Sequence, residues 1–177
     1  MFRKRTARAA LALLVSVALA GCGTSDPQPT NSPTTTPSES VVTEVSAEAA
    51  ARAAFDGFFS AVDAQFADRS PSAAGLEAYA EPALAAEYAE AIQTSLDRGQ
   101  VTRGVPTVLT FATTDFSADG VIADLCTDSS GLRTIDDQGL ERPGAAVLRW
   151  TADFSLSDGT ALIRSLEPHQ DAAECTG

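Results

Sequence analysis

The sequence predicts an α+β fold in which three N-terminal helices pack on an antiparallel sheet of about four strands. Apolar residues recur at helical spacing in the first half of the domain, and β-rich runs separated by turn residues fill the second half. The run 147–156 alternates strictly between apolar and polar residues, which is typical of a strand with one buried face. The helices are the elements available to cover that face.

Residues 1–21 predict a lipoprotein signal peptide. Four cationic side chains lie within residues 3–8, and an uncharged apolar run follows from Ala9 to Ala20. This run is shorter than the about 20 residues that span a bilayer, which favours a cleaved signal over a permanent membrane helix. The sequence Leu19-Ala20-Gly21-Cys22 then resembles the lipobox of bacterial lipoproteins. The resemblance implies cleavage before Cys22 and a diacylglyceryl group on its thiol.

Two acyl chains hold a protein stably on a bilayer, so the expected location is the outer face of the bacterial cytoplasmic membrane. Residues 22–40 predict a disordered tether, because they contain four prolines, many serines and threonines, and no large apolar side chain. Such a tether spans about 23 Å as a random chain and about 55 Å as an extended one. The remaining residues, 41–177, predict a single domain.

The mature chain is strongly acidic. Four of the twelve basic residues precede Cys22, which leaves eight arginines against 24 acids, a formal net charge of 8 − 24 = −16. The acids are spread along the chain, which indicates a solvated acidic surface. Nucleic acid is excluded as a partner, because it requires a basic footprint.

The first helix is predicted to begin near Ser46, its expected N-cap. Its apolar residues recur at helical spacing and are unusually aromatic: Phe55, Phe58, Phe59, Val62 and Phe66. A break at 68–72 precedes a short helix at 73–80. A third helix opens with Pro82 and runs to Arg98, with Gly99 closing it. Its expected buried face comprises Leu84, Tyr88, Ala91, Ile92 and Leu96.

Strands are predicted at 107–116 and 121–127, separated by the turn residues 117–120. A short strand is predicted within 132–138. The strand 147–156 places Leu148, Trp150, Ala152, Phe154 and Leu156 on its buried face, and it forms a hairpin with 161–166 across the turn 157–160.

Three helices followed by an antiparallel meander resemble the cone-shaped nuclear-transport-factor-2-like fold, with its curved sheet. The segment Cys126-Thr127-Asp128-Ser129-Ser130-Gly131, followed by Asp136-Asp137-Gln138-Gly139, is similar to uncharacterised secreted lipoproteins of actinobacteria. Those proteins pair a tether with such a domain and have a second cysteine near the C-terminus. The resemblance implies the fold and a disulfide, and it implies no activity.

The residues independently favour a disulfide between Cys126 and Cys175, because a lone cysteine pair outside the cytosol is usually oxidised. A metal site is the alternative, but the chain has no Cys-x-x-Cys and only one histidine. No metal or other cofactor is therefore expected. Asp136 and Asp137 lack the spaced ligands and central glycine of a calcium loop.

The aromatic residues have two interpretations, a solid core or the lining of a ligand pocket. The pocket hypothesis assigns to one cavity the residues Phe55, Phe58, Phe59, Val62, Phe66, Tyr88, Trp150 and Phe154. In the cone fold, catalysis takes place between helices and sheet and uses buried Asp, Tyr or His. The candidates for such a role are Asp63, Tyr79, Tyr88, Asp124 and His169.

Three functions remain open from the sequence. The favoured one is a non-catalytic module that binds a small apolar ligand or an envelope protein at the membrane surface. The second is an isomerase or cyclase that uses Asp124 or Asp63 as a general base and a tyrosine as hydrogen-bond donor. The third is a structural envelope component that acts as a homodimer.

Overall fold

The computed structural model describes residues 42–169 and Cys175. Within them three helices precede seven strands, so the predicted α+β class is confirmed. The elements are α1 (Glu44–Asp68), α2 (Ala73–Leu76), α3 (Pro82–Asp97), β1 (Val101–Arg103), β2 (Thr107–Ser117), β3 (Gly120–Asp128), β4 (Arg133–Ile135), β5 (Glu141–Pro143), β6 (Val147–Ser157) and β7 (Thr160–His169). The predicted signal peptide (1–21), Cys22 and the tether (22–40) lie outside the described residues.

Helix α1 begins earlier than the sequence indicates. Its N-cap is Thr43, and the predicted cap, Ser46, is instead the third helical residue of a capping box. The Ser46 N–H donates to the Thr43 hydroxyl at 3.3 Å, and the Thr43 N–H donates to the Ser46 hydroxyl at 3.0 Å. These two reciprocal hydrogen bonds satisfy the backbone N–H groups of Thr43 and Ser46, which the start of a helix otherwise leaves without partners.

The segment after α1 is less helical than predicted. Helix α2 ends at Leu76, and Ala80 instead pairs in parallel with Ile163 of β7. The Glu81 N–H donates to the Ile163 carbonyl at 2.9 Å, and the Ile163 N–H donates to the Tyr79 carbonyl at 2.9 Å. These hydrogen bonds satisfy backbone groups at the edge of β7. The helix propensity of residues 73–80 does not predict this pairing, because it depends on a strand that lies far away in the sequence.

Helix α3 starts at Pro82 as predicted and ends at Asp97, one residue before the predicted end. Gly99 adopts a φ of +73°, the left-handed conformation expected of a glycine that follows a helix end. The predicted buried face is covered only in part, because Leu84 and Ile92 are buried while Ala91 is exposed.

The larger sheet is an antiparallel meander of order β2-β3-β6-β7. Its register pairs Leu125 with Trp150, Ala123 with Ala152, and Val121 with Phe154. These side chains share one face, because residues two apart in a strand point the same way. A register shift after Asp153 leaves Arg164 without a partner residue opposite it, which is a β-bulge.

The prediction of a single sheet is wrong, because β1, β4 and β5 form a second antiparallel sheet of order β1-β4-β5. The segment 132–138 contains a strand, as predicted, but this strand pairs Thr134 with Thr102 and Arg142 rather than joining the meander. Strands of three residues are too short to show alternation. Pro143 is tolerated because β5 is an edge strand.

The core lies between the helices and one face of the larger sheet. Its helical residues include Ala51, Phe55, Phe58 and Leu76, and its sheet residues include Leu125, Phe154 and Ile163, all fully buried or nearly so. Gly57 allows Tyr79 to approach α1 closely, since an added Cβ would lie 2.3 Å from the Tyr79 ring. One face of the meander is therefore covered by helices.

Cys126 and Cys175 form the predicted disulfide, with their Cα atoms 5.6 Å apart. Cys126 belongs to β3, a central strand of the larger sheet. The bond closes a loop over 49 residues of sequence separation and ties Cys175 to the middle of the fold.

Reducing this disulfide is expected to lower the free energy of unfolding by roughly 4 kcal/mol, because the chain-entropy model assigns about that cost to a loop of this length. Urea unfolding of the purified protein, with and without reductant, measures the difference. A Cys175→Ala variant should match the reduced protein and should not respond to reductant. An unfolding midpoint that reductant leaves unchanged would contradict this expectation.

Candidate functional site

The aromatic residues of α1 pack against one another and against the sheet rather than enclosing a void. Phe55 and Phe58 are 0% exposed. The Phe55 ring centroid lies 4.8 Å from that of Phe59 and 6.5 Å from that of Trp150, and Phe58 meets Tyr88 edge-on at 4.8 Å. Offset and edge-on contacts at these distances are favourable beyond their area burial. Phe55 and Phe58 are therefore core residues.

A groove of about 440 Å³ lies beside this core, between α3 and β7. We call it the α3–β7 groove, and its lining residues are Ala83, Leu84, Glu87, Tyr88, Ala91, Trp150, Arg164, Ser165, Leu166 and Pro168. Seven of these ten are apolar or aromatic. The volume falls within the range of about 300–1,000 Å³ that small-molecule sites occupy.

The core fixes the two aromatic rings of the groove. The Trp150 indole N–H donates to the Thr127 hydroxyl at 3.0 Å, and its ring meets Phe55 and Phe59. Tyr88 is held by its edge-on contact with Phe58. Each ring is therefore fixed by buried neighbours while it also lines the groove, which lowers the ordering cost of binding.

The Tyr88 hydroxyl is one of the polar groups in the lining of the groove, together with Glu87, Arg164 and Ser165. Burial, and secondarily the neighbouring Glu87 carboxylate, raises the pKa of Tyr88 to about 12. The phenol is therefore protonated at physiological pH and can donate or accept a hydrogen bond. Among residues 42–169 and Cys175, no hydrogen-bond partner is found for this hydroxyl.

Arg164 lines the groove, but its guanidinium is already engaged. Nε donates to Glu81 at 3.3 Å, Nη1 to Asp153 at 3.4 Å, and Nη2 to the Asp119 carbonyl at 3.2 Å. These contacts hold the β-bulge of β7 against the start of α3. The groove therefore offers no uncommitted cation to an anionic ligand.

No protein-family model matches this chain, and no curated protein sequence matches it. A role for the α3–β7 groove therefore rests on its own geometry and chemistry.

The eight residues of the pocket hypothesis do not share one cavity. Tyr88 and Trp150 line the α3–β7 groove. Phe66 lines a different cavity, at the far end of α1. Phe55, Phe58 and Phe154 are 0% exposed in the core, and Phe59 and Val62 are partly buried against it. The sequence pattern missed Ala83, Leu166 and Pro168. Ala91 also lines the groove, although the sequence placed it on the buried face of α3.

Asp124 lies on the opposite face of the sheet from the helices. Its carboxylate accepts a hydrogen bond from Arg149 Nη2 at 2.7 Å and another from the Thr151 hydroxyl at 2.8 Å. The Thr151 oxygen also lies 3.0 Å from His169 Nε2. The hydrogen bonds from Arg149 and then Thr151 hold the pKa of Asp124 below its usual value. A lowered pKa weakens a carboxylate as a general base.

The other catalytic candidates are also separated from one another. Asp63 accepts hydrogen bonds from Arg103 Nε at 3.0 Å and from the Gly104 N–H at 2.8 Å. Tyr79 packs beside Gly57 and lines a different cavity, together with Ala50 and Gly159. Neither Asp63 nor Asp124 lines the α3–β7 groove with Tyr88. Neither aspartate of the general-base hypothesis therefore shares that groove with a tyrosine.

Within residues 42–169 and Cys175, no group of three or more His, Cys, Asp or Glu side chains is arranged to hold a metal ion. Asp136 has a different role. Its Oδ1 accepts hydrogen bonds from the Gln138 N–H at 3.0 Å and the Leu140 N–H at 2.9 Å, which stabilises the turn between β4 and β5.

An Asp124→Asn variant is expected to be less stable than the wild type at neutral pH, with the difference shrinking in acid. The folded pKa of Asp124 is lowered. Its charge therefore contributes stability above the unfolded pKa of about 3.9, and this contribution is lost as pH falls through the folded value.

Urea unfolding of both proteins across the range from neutral to strongly acidic pH measures this convergence. Thr151→Val is the companion variant, because it removes one of the hydrogen bonds that lower the pKa and keeps the carboxylate. A stability difference between wild type and Asp124→Asn that is constant with pH would contradict the expectation.

Proposed function

We propose that this protein is a membrane-anchored, extracytoplasmic lipoprotein that binds a small apolar ligand in the α3–β7 groove without transforming it. The observation that carries the proposal is the groove itself: about 440 Å³, lined mostly by apolar side chains, with Trp150 and Tyr88 fixed by the core. The Tyr88 hydroxyl, which has no hydrogen-bond partner among the described residues, suits a neutral hydrogen-bonding atom on the ligand.

The anchor is supported by the sequence of the N-terminus. A cationic segment, an apolar run of about a dozen residues and Cys22 occur in the order that a lipoprotein signal requires. No helix within the described residues is long and apolar enough to cross a membrane. The tether 22–40 would place the groove near the bilayer, where apolar molecules concentrate.

The cone-shaped, nuclear-transport-factor-2-like fold is part of the same proposal. Its support is a meander of four antiparallel strands whose one face is covered by three helices. In such an arrangement, the margin between helices and sheet is where a ligand can reach apolar side chains without opening the core. The α3–β7 groove lies at that margin.

A small ligand is preferred over an envelope protein because the groove is concave and its aromatic rings are partly covered. A protein partner would need about 800 Å² of surface on each side. The described exposed large apolar residues, Val45, Val105, Leu109, Ile122 and Leu140, do not line the groove.

Filling the groove should weaken binding of a neutral apolar probe. We expect Ala91→Phe to weaken binding of N-phenyl-1-naphthylamine by about tenfold or more, because Ala91 is exposed and lines the groove. Trp150 is the only tryptophan of the chain and lines the same groove, so energy transfer from it to the probe reports binding at this place.

Ala86→Phe is the matched control, because Ala86 is an exposed residue of α3 that does not line the groove. It should leave probe affinity within about twofold of the wild type, and both variants should keep the wild-type melting temperature. Equal affinity of the wild type and Ala91→Phe for the probe would exclude the groove as the ligand site.

Replacing Cys22 with alanine should release the protein from the membrane, because no thiol remains at that position for the lipid. Fractionation of expressing bacteria and intact mass of the purified protein measure the change. Cys175→Ala is the matched control and should stay in the membrane fraction with its lipid mass intact. A Cys22→Ala protein of the same mass and location as a Cys22 protein would refute the anchor.

A further inference from the structure

A second cavity, of about 650 Å³, lies at the end of α1 against the small sheet. We call it the α1–β1 cavity, and its lining residues are Phe66, Ala67, Arg69, Gly99, Val101, Arg103, Ile135, Asp136, Asp137 and Gly139. Its lining combines apolar side chains with two arginines and two aspartates. Neither the proposed ligand nor the proposed anchor accounts for it.

Arg103 is held in place by the fold and retains donors for a ligand. Its Nε donates to Asp63 at 3.0 Å, and the same Asp63 oxygen also accepts from the Gly104 N–H. Among the described residues, nothing pairs with its two terminal nitrogens. A guanidinium fixed through Nε presents those two nitrogens as a fork that matches the two oxygens of a carboxylate.

Arg69 brings a second guanidinium to the same cavity. It is the C-cap of α1 and adopts the left-handed conformation, with φ at 51°, which is uncommon for a residue other than glycine. Its side chain forms no ion pair or hydrogen bond with any described residue. The cavity therefore has two cationic groups with uncommitted donors.

Asp137 supplies the opposite charge. It lies against Gly99, where an added Cβ would be 2.9 Å from the Asp137 Cβ, and its carboxylate has no partner among the described residues. Asp136 differs, because its oxygens serve the turn amides and Arg142. Phe66, Val101 and Ile135 provide the apolar part of the lining.

We propose that the α1–β1 cavity binds a small zwitterion, an α-amino acid with an apolar side chain. Its carboxylate pairs with Arg103 and Arg69, its ammonium pairs with Asp137, and its side chain packs on Phe66, Val101 and Ile135. The net charge of −16 on the mature chain repels anions at long range, whereas a zwitterion carries no net charge and is not repelled.

The test is calorimetric titration of the full-length mature protein, held in nanodiscs, with three probes. L-phenylalanine carries both charges, 3-phenylpropanoate lacks the ammonium, and 2-phenylethylamine lacks the carboxylate. We expect L-phenylalanine to bind about tenfold or more tightly than either analogue, because each analogue loses one charged hydrogen-bonded pair. Equal affinities, or no binding of L-phenylalanine, would overturn the proposal.

Variants locate the site. Arg69→Gln and Arg103→Gln should each weaken L-phenylalanine binding by about tenfold. Asp137→Asn should weaken L-phenylalanine and leave 3-phenylpropanoate unchanged. Arg98→Gln makes the same charge change outside the cavity and should bind as the wild type does. The Arg69 side chain makes no hydrogen bond or ion pair with any described residue, so its variant remains informative if Arg103→Gln is unstable.

The result of this test can be distinguished from the result for the proposed apolar ligand in the α3–β7 groove. Ala91→Phe should bind L-phenylalanine with wild-type affinity, because Ala91 does not line the α1–β1 cavity. Loss of amino-acid binding in Ala91→Phe, with retention in Arg69→Gln, would assign the zwitterion to the groove and refute this inference.

Discussion

The packing of α1 on the helix-facing side of β6 is the interaction on which the rest of the structure depends. Phe55 contacts Trp150 edge-on while Phe58 contacts Tyr88 of α3, so one helix joins the sheet to the third helix. Burying an aromatic side chain of this kind contributes about 1.5–3 kcal/mol. The same contacts fix the two rings of the α3–β7 groove, so stability and the candidate site share residues.

The edge of β7 determines where the groove lies. The chain after α2 pairs with Ile163, and the bulge at Arg164 is tied to Glu81 at the start of α3. These two attachments set α3 beside β7 at a distance that leaves Ala91 uncovered. A groove between a helix and an edge strand can therefore exist without a void in the core.

Charge distinguishes the two cavities. In the α3–β7 groove, the one arginine is neutralised by Glu81 and Asp153, and the tyrosine is held neutral by its raised pKa. In the α1–β1 cavity, the side chains of Arg69 and Asp137 have no partner among the residues that the structure describes, although both line it. The two proposals therefore assign ligands of different chemistry to the two cavities, one apolar and one zwitterionic.

The sequence alone determined what is local. The periodicity of apolar residues and the positions of turn residues predicted three helices and the β2–β3 and β6–β7 hairpins. The alternation of apolar and polar residues predicted the buried face of β6 at Trp150 and Phe154. The presence of two cysteines in the domain predicted their disulfide. Only the tertiary structure decided that β1, β4 and β5 form a second sheet and that Phe55 lies in the core while Tyr88 lines a groove. Strands of three residues carry no periodic signal, and apolar spacing shows which side of a helix is covered without showing what covers it.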